Sequence, residues 1–288
     1  MRWLKVGRAI AVVTLLHMVM SVATVVQADP LVLGVHPYLS TTELHARFEP
    51  LCTYLSEKTG DDVELQVSPT FNALIDALLQ GQVDVAFMGS ANYVLLRRRS
   101  TQLVLLGRLH NREGQLHGAI VVAQDSPLQR VDDLRGRRIA FVSPDSTMGY
   151  RLTTCVLQQT GIRADDLAGW QFLHNHENVA YAVLGGFFDA GSVKQEILQD
   201  PRFGHLRVLA PLPTVADHLF VACKGARLNG ERLHTFQQML LSLNETPRGR
   251  ELLQGIRDDV IAIQPVEDAA YDRLRQYDTC VDIFEAGR

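Results

Sequence analysis

The chain contains no glycine-rich phosphate loop, no Gly-x-Ser-x-Gly nucleophile elbow and no CxxC pair. Those absences remove the commonest signatures of nucleotide hydrolysis, serine hydrolysis and thiol redox chemistry. Four cysteines (Cys52, Cys155, Cys223 and Cys280) stand far apart, without metal-ligand spacing. They read equally as buried thiols or as one bridge plus two thiols. His174-Asn-His176-Glu177 offers two histidines but no third ligand at useful spacing. No metal, no cofactor and no catalytic residue is therefore expected. Positive charge is also scarce. Without the first 28 residues the chain has 25 basic against 32 acidic side chains, a net charge of −7. An acidic body argues against nucleic acid, whose phosphates need basic patches. It does not exclude a small anion held by neutral donors.

Long apolar runs are absent except at the N-terminus. Arg2, Lys5 and Arg8 precede a nearly unbroken apolar stretch, and Val26-Gln27-Ala28 puts small residues at the −3 and −1 positions. This reads as a signal peptide over residues 1–28, cleaved after Ala28, and hence as export to the periplasm. An uncleaved anchor is the alternative, since about eighteen apolar residues nearly span a bilayer.

The rest alternates strand and helix. Apolar or alternating runs near 31–35, 63–67, 83–87, 138–142 and 170–173 read as strands; periodic segments at 43–59, 70–80, 150–160 and 178–184 read as helices. The pattern predicts an α/β fold with mixed, mostly parallel sheets. Two stretches echo each other. Asn72 to Gly81 leads into Val83-Asp84-Val85-Ala86, and Asn178 to Gly185 leads into Phe188-Asp189-Ala190-Gly191. Two similar lobes explain the echo: residues 29–121 with 214–288 as the first, and 122–213 as the second. The segment 206–213 reads as the return crossing. A chain that crosses twice forms a hinge with a ligand cleft between the lobes.

Pro144-Asp-Ser-Thr-Met-Gly-Tyr150 joins a strand end to a helix start. Asp145 or Ser146 can cap that helix. Its first-turn amides have no intrahelical partner and carry the positive end of the helix dipole. With the Ser146 and Thr147 hydroxyls beside them they can hold an oxyanion, and Gly149 allows close approach.

The chain resembles the periplasmic phosphate/phosphite/phosphonate-binding (PhnD-like) family of ABC-transporter proteins, which have the type II periplasmic binding protein fold. The resemblance runs through Leu33-Gly-Val-His-Pro-Tyr38, Arg47-Phe-Glu-Pro-Leu51, Gly81-Gln-Val-Asp-Val-Ala-Phe-Met-Gly89, Asp132-Asp-Leu-Arg-Gly136, Ser146-Thr-Met-Gly149, His176 and Asp189-Ala-Gly191. It implies a monomer that closes over a small oxyanion and delivers it to a permease. It places the anion turn at Ser146 and Thr147, with Met148 where relatives usually carry another serine. It adds Tyr38, Tyr93, Ser90, His176 and Asp189 to the cleft. Asp189, acceptor-only when ionised, would favour a ligand bearing P–OH or an ammonium. A sensory adaptor, binding arsenite or a sulfur anion and reporting to a membrane histidine kinase, is the alternative that the same resemblance allows.

Overall fold

The computed structural model describes residues 29–224, 227–228, 230–277 and 280. The expected signal peptide, residues 1–28, lies outside the described residues. The chain builds two α/β lobes. In the first, β1 (Leu31–Val35), α1 (Thr41–Thr59), β2 (Val63–Val67), α2 (Phe71–Leu79) and β3 (Val85–Met88) form right-running βα units. Ser40 and Thr70 cap the two helices through their hydroxyls. Gly60 ends α1 at φ 76° and Gly81 follows α2 at φ 72°, a left-handed conformation that only glycine adopts cheaply. Helix α3 (Ser90–Arg99) leaves the end of β3, and β4 (Leu103–Asn111) runs back along the sheet.

The second lobe repeats the plan. It comprises β5 (Gly118–Ala123), β6 (Arg138–Phe141), α4 (Leu152–Gln159), β7 (Gly169–Phe172), α5 (His176–Leu184), β8 (Ala190–Lys194) and β9 (Leu206–Pro211). The chain then returns through β10 (Leu219–Cys223), α6 (Gly230–Leu241), α7 (Pro247–Ile256), β11 (Val260–Gln264) and α8 (Asp272–Arg275).

The strand orders are β11-β4-β10-β3-β1-β2 and β7-β6-β8-β5-β9. Each sheet is parallel where βα units build it, at β2-β1-β3 and β7-β6-β8. Each is antiparallel where the crossing strands join, so the sheets are mixed, with more antiparallel pairing than a run of βα units implies. The segment expected as the return crossing is largely β9, and the crossing follows it. The two crossings pair with each other: Leu116 N–H donates to the Val215 carbonyl at 2.8 Å. Among the described residues no disulfide forms; Cys52 and Cys155 are buried.

The sequence echo has a structural cause. Asp84 precedes β3, and its carboxylate accepts the Val32 N–H of β1 at 2.9 Å. Asp189 precedes β8 and accepts the Arg138 N–H of β6 at 2.8 Å. Each aspartate ties the start of one parallel strand to the start of its neighbour. Both therefore sit at the strands' N-terminal ends, while ligands bind beyond the C-terminal ends.

Glycine at position 34 is set by packing. A Cβ there would stand 2.6 Å from Leu74 Cδ1 and 2.8 Å from Val83 Cγ1. Gly34→Ala is expected to destabilise the protein by about 1–3 kcal/mol through overpacking between β1 and α2. A urea unfolding midpoint unchanged from the parent protein would contradict this packing.

Candidate functional site: a closed cavity between the lobes

The C-terminal ends of β1, β3, β6 and β8 all open toward the interface between lobes, and a narrow cavity lies there. Lobe 1 contributes His36 and Tyr38 after β1, Phe71 at the start of α2, and Gly89 and Asn92 around the start of α3. Lobe 2 contributes Ser146, Thr147 and Met148, His176 at the start of α5, and Lys194 at the end of β8. Leu116 and His218 come from the crossings. All of these side-chain-bearing residues are buried.

The anion turn takes an unusual form. Residues Thr147–Arg151 make a π turn ahead of α4, where a plain helix start was expected near Tyr150. Such turns recur at functional sites because they re-aim backbone groups. Of the two candidate caps Ser146 fills the role: its Oγ accepts the Gly149 N–H at 3.0 Å. Gly149 is required by space, since a Cβ would stand 2.3 Å from Val142 Cγ2. The turn is anchored from behind by Ser192, whose hydroxyl donates to the Met148 carbonyl at 2.5 Å. It also touches the opposite lobe. Thr147 Oγ1 accepts the Ala91 N–H at 2.9 Å, and Asn72 Nδ2 donates to Asp145 Oδ2 at 2.9 Å. A third tie is the ion pair of Arg257 with Glu196 at 3.2 Å. The lobes are closed.

Of the residues singled out from the sequence, Ser146, Thr147, Met148, Tyr38 and His176 line the cavity, and Gly149 holds the turn. Three do not line it. Asp189 sits at the far end of β8, tied to Arg138 as described above. Tyr93 turns away: its hydroxyl donates to Asp268 Oδ1 at 2.5 Å and its ring packs on Tyr271. Ser90 donates to the Ala216 carbonyl, bracing α3 against the crossing.

Residues not assigned from the sequence complete the walls. Asn92 is one position before Tyr93, about 100° away around the helix, and both its amide atoms are buried without a partner. Both ring nitrogens of His36 and the Nε2 of His218 are likewise buried and unpartnered. Lys194 points across the cleft, its Nζ 3.8 Å from the Tyr38 ring centroid. The rule that selects strand C-terminal ends would have chosen Lys194 over Asp189, five residues earlier. His218 carried no such signal. It immediately precedes β10, and the antiparallel pairing of Leu219 with Met88 brings it to the cleft.

Electrostatics follow from burial. Lys194 is the one lysine or arginine of the wall among the described residues. Burial pushes its ammonium down to about 8, with Glu196 opposing the shift. His36 and His176 are held well below the usual imidazole range, first by burial and then by neighbouring cationic groups. His218 is lowered to about 3 by burial and Lys194, against the opposing pull of Asp217. Burial also raises the Tyr38 hydroxyl above its ordinary value, so it stays a donor. His176 Nδ1 accepts the Lys194 N–H at 3.1 Å, which leaves its proton on Nε2. The cavity thus concentrates donors: an ammonium, an imidazole N–H, hydroxyls and a carboxamide. No carboxylate lines it among the described residues.

Comparison with known proteins identifies the family and the fold. The family described as ABC transporter, phosphonate, periplasmic substrate-binding protein matches residues 33–271. The phosphate-import protein PhnD of Mycolicibacterium smegmatis is 27% identical over 174 residues, 57% of this chain. The aligned stretch spans 54%, about half, of that relative's own length. PhnD1 of Prochlorococcus marinus, solved in complex with methylphosphonate, superposes with a TM-score of 0.80 at 17% identity, covering 88% of this chain and 98% of its own. A binding protein component of an ABC phosphonate transporter from Pseudomonas aeruginosa gives 0.79 at 17% identity, over 90% and 88%. At such identities the structures speak for the fold, and the family match over most of the chain speaks for descent: the protein belongs to the ABC-transporter phosphonate periplasmic substrate-binding family.

Proposed function

We propose that the protein binds a small phosphorus oxyanion (phosphate, phosphite or a phosphonate) in the periplasm and hands it to an ABC permease. The observation that carries this reading is the unpartnered set of buried polar groups around the cavity. Asn92 and His36 side chains have no hydrogen-bond partner, and the Lys194 ammonium lies over the Tyr38 ring. Leaving such groups dry and unpaired costs about 1–3 kcal/mol each, more for a charged one. An oxyanion supplies acceptors to all of them, and charge-assisted bonds contribute about 1.5–3 kcal/mol each. Ser146, Thr147, Tyr38 and His176 would donate beside them. The likeness to a phosphate importer and to a methylphosphonate-bound structure supports the same ligand class.

Export through the signal peptide at 1–28 fits that role. The lobes, 29–121 with 214–288 and 122–213, would open about the paired crossings at Leu116 and Val215 to admit the ligand. The protein works in this reading as a monomer that binds without turnover.

Gly89 offers a clean test. Its φ is −73°, which alanine adopts freely. A Cβ would sit 3.5 Å from His36 Cε1, 3.6 Å from His218 Nε2 and 3.7 Å from Thr147 Oγ1, at the point where the walls converge. Gly89→Ala is expected to keep the parent unfolding midpoint and to weaken phosphate or methylphosphonate binding at least about tenfold, measured by calorimetric titration. Unchanged affinity would remove the cavity from consideration.

The pH dependence has a defined sign. A bound anion raises the Lys194 pKa above its free value of about 8. Affinity for phosphate, which keeps a P–OH across this range, is therefore full below pH 8 and falls as pH rises beyond it, by up to about tenfold per unit, until the complex also deprotonates. The cavity histidines lie below this window and Tyr38 above it. Lys194→Met should flatten the profile between pH 8 and 9.5; an equally steep profile in that variant would contradict the assignment.

A further inference from the structure

The acceptor that the sequence led us to expect from Asp189 is not in the cavity, and another group stands in its place. Asp217 is wholly buried between Arg257 and His218. Burial alone would raise its carboxyl, but Arg257 and His218 outweigh that and hold it well below the usual carboxylate range. Arg257 donates to both carboxylate oxygens, Nη1 to Oδ1 at 3.1 Å and Nη2 to Oδ2 at 2.5 Å. An ionised carboxylate only accepts. The 2.8 Å contact between Asp217 Oδ1 and His218 Nδ1 therefore has one reading, Nδ1–H donating to the carboxylate. That leaves a lone pair on Nε2, aimed into the cavity with no protein partner. The ring cannot rotate away. It stacks on Phe87 with centroids 5.3 Å apart and packs against His36 at 5.1 Å.

We infer that His218 is a specificity-determining residue, whose Nε2 accepts the hydroxyl of a singly protonated oxyanion and so admits phosphate-class ligands while excluding sulfate. The inference rests on the oxyanion-binding reading above and sharpens it. Other polar groups of the wall adapt. Asn92 can turn its amide, the hydroxyls can rotate, and His36, unpartnered on both nitrogens, can take either tautomer. His176 is held as a donor by the Lys194 N–H, whereas His218 is locked as an acceptor by Asp217. Phosphate and alkylphosphonates keep a P–OH oxygen near neutral pH, and that proton fills the Nε2 lone pair. Sulfate has none. Its oxygen would face the lone pair directly, or His218 would have to take a proton from solvent against its burial and the Lys194 charge. Sites built to bond a hydroxyl reject analogues that lack it far more strongly than apolar pockets reject a size change.

The test is calorimetric titration of the mature protein at pH 7 with sodium phosphate, methylphosphonate and sodium sulfate, repeated on two variants. Asp217→Asn presents an amide N–H to Nδ1 and reverses the tautomer, as the corresponding change does in the serine-protease triad. His218→Gln replaces the locked acceptor by an amide that can rotate to donate. The expected result is phosphate bound at least about a hundredfold more tightly than sulfate by the parent protein. The gap should shrink below about tenfold in either folded variant, chiefly through gained sulfate affinity. Should both variants fail to fold, imidazole nitrogen NMR of the parent protein with phosphate decides: a protonated Nδ1 and an unprotonated Nε2 at His218 support the inference, and the reverse overturns it. Equal binding of phosphate and sulfate by the parent protein overturns this inference while leaving oxyanion binding intact. A gap unchanged in folded His218→Gln does the same. Failure to bind any of the three anions overturns both.

Discussion

Closing the two lobes buries more hydrogen-bonding capacity than the protein itself can satisfy. That constraint organises the structure around the cavity. In most interiors buried polar atoms find a protein or water partner. Here Asn92, His36 and His218 meet around one narrow cavity with partners missing, next to a buried ammonium. A fold stabilised only for its own sake would fill that space with apolar side chains. The interlobe bonds Thr147–Ala91, Asn72–Asp145 and Arg257–Glu196 ring the gap. They hold the closed form, and Thr147 belongs both to this ring and to the cavity wall.

Two duties meet at Arg257. It neutralises Asp217 and so sets the tautomer of His218 inside the cavity. It also pairs with Glu196 of the other lobe and with Asp259. Such a buried cation pays its desolvation only because three carboxylates surround it. Opening the lobes separates it from Glu196, so the geometry of recognition and the geometry of closure share one side chain.

Much of this was legible in the sequence. Periodicity, glycine stops and hydroxyl caps located β1 to β3, α1, α2, α4 and α5, because those elements obey local rules. The capped turn ahead of α4 was legible for the same reason: a capping serine, a second hydroxyl and a glycine follow a strand end. β4 and β11 were not, since their place depends on distant antiparallel partners. The site divides along the same line. Ser146, Thr147 and His176 lie on segments whose direction a local pattern fixes. Tyr93 and Asn92 are adjacent, and choosing between them requires the angular register of α3. Asp189 entered through the family resemblance, yet it and its twin Asp84 serve strand pairing. Lys194 follows from the strand-end rule, whereas His218 needed the sheet topology to bring it to the cleft.

The most direct measurement is a crystal structure of the mature protein grown with phosphate or methylphosphonate. The account expects the lobes closed on one anion, with its oxygens within hydrogen-bond reach of Ser146 Oγ, Asn92 Nδ2, His176 Nε2 and Lys194 Nζ, and one oxygen at His218 Nε2. An anion bound elsewhere, with these groups still unpartnered around an empty cavity, would contradict it.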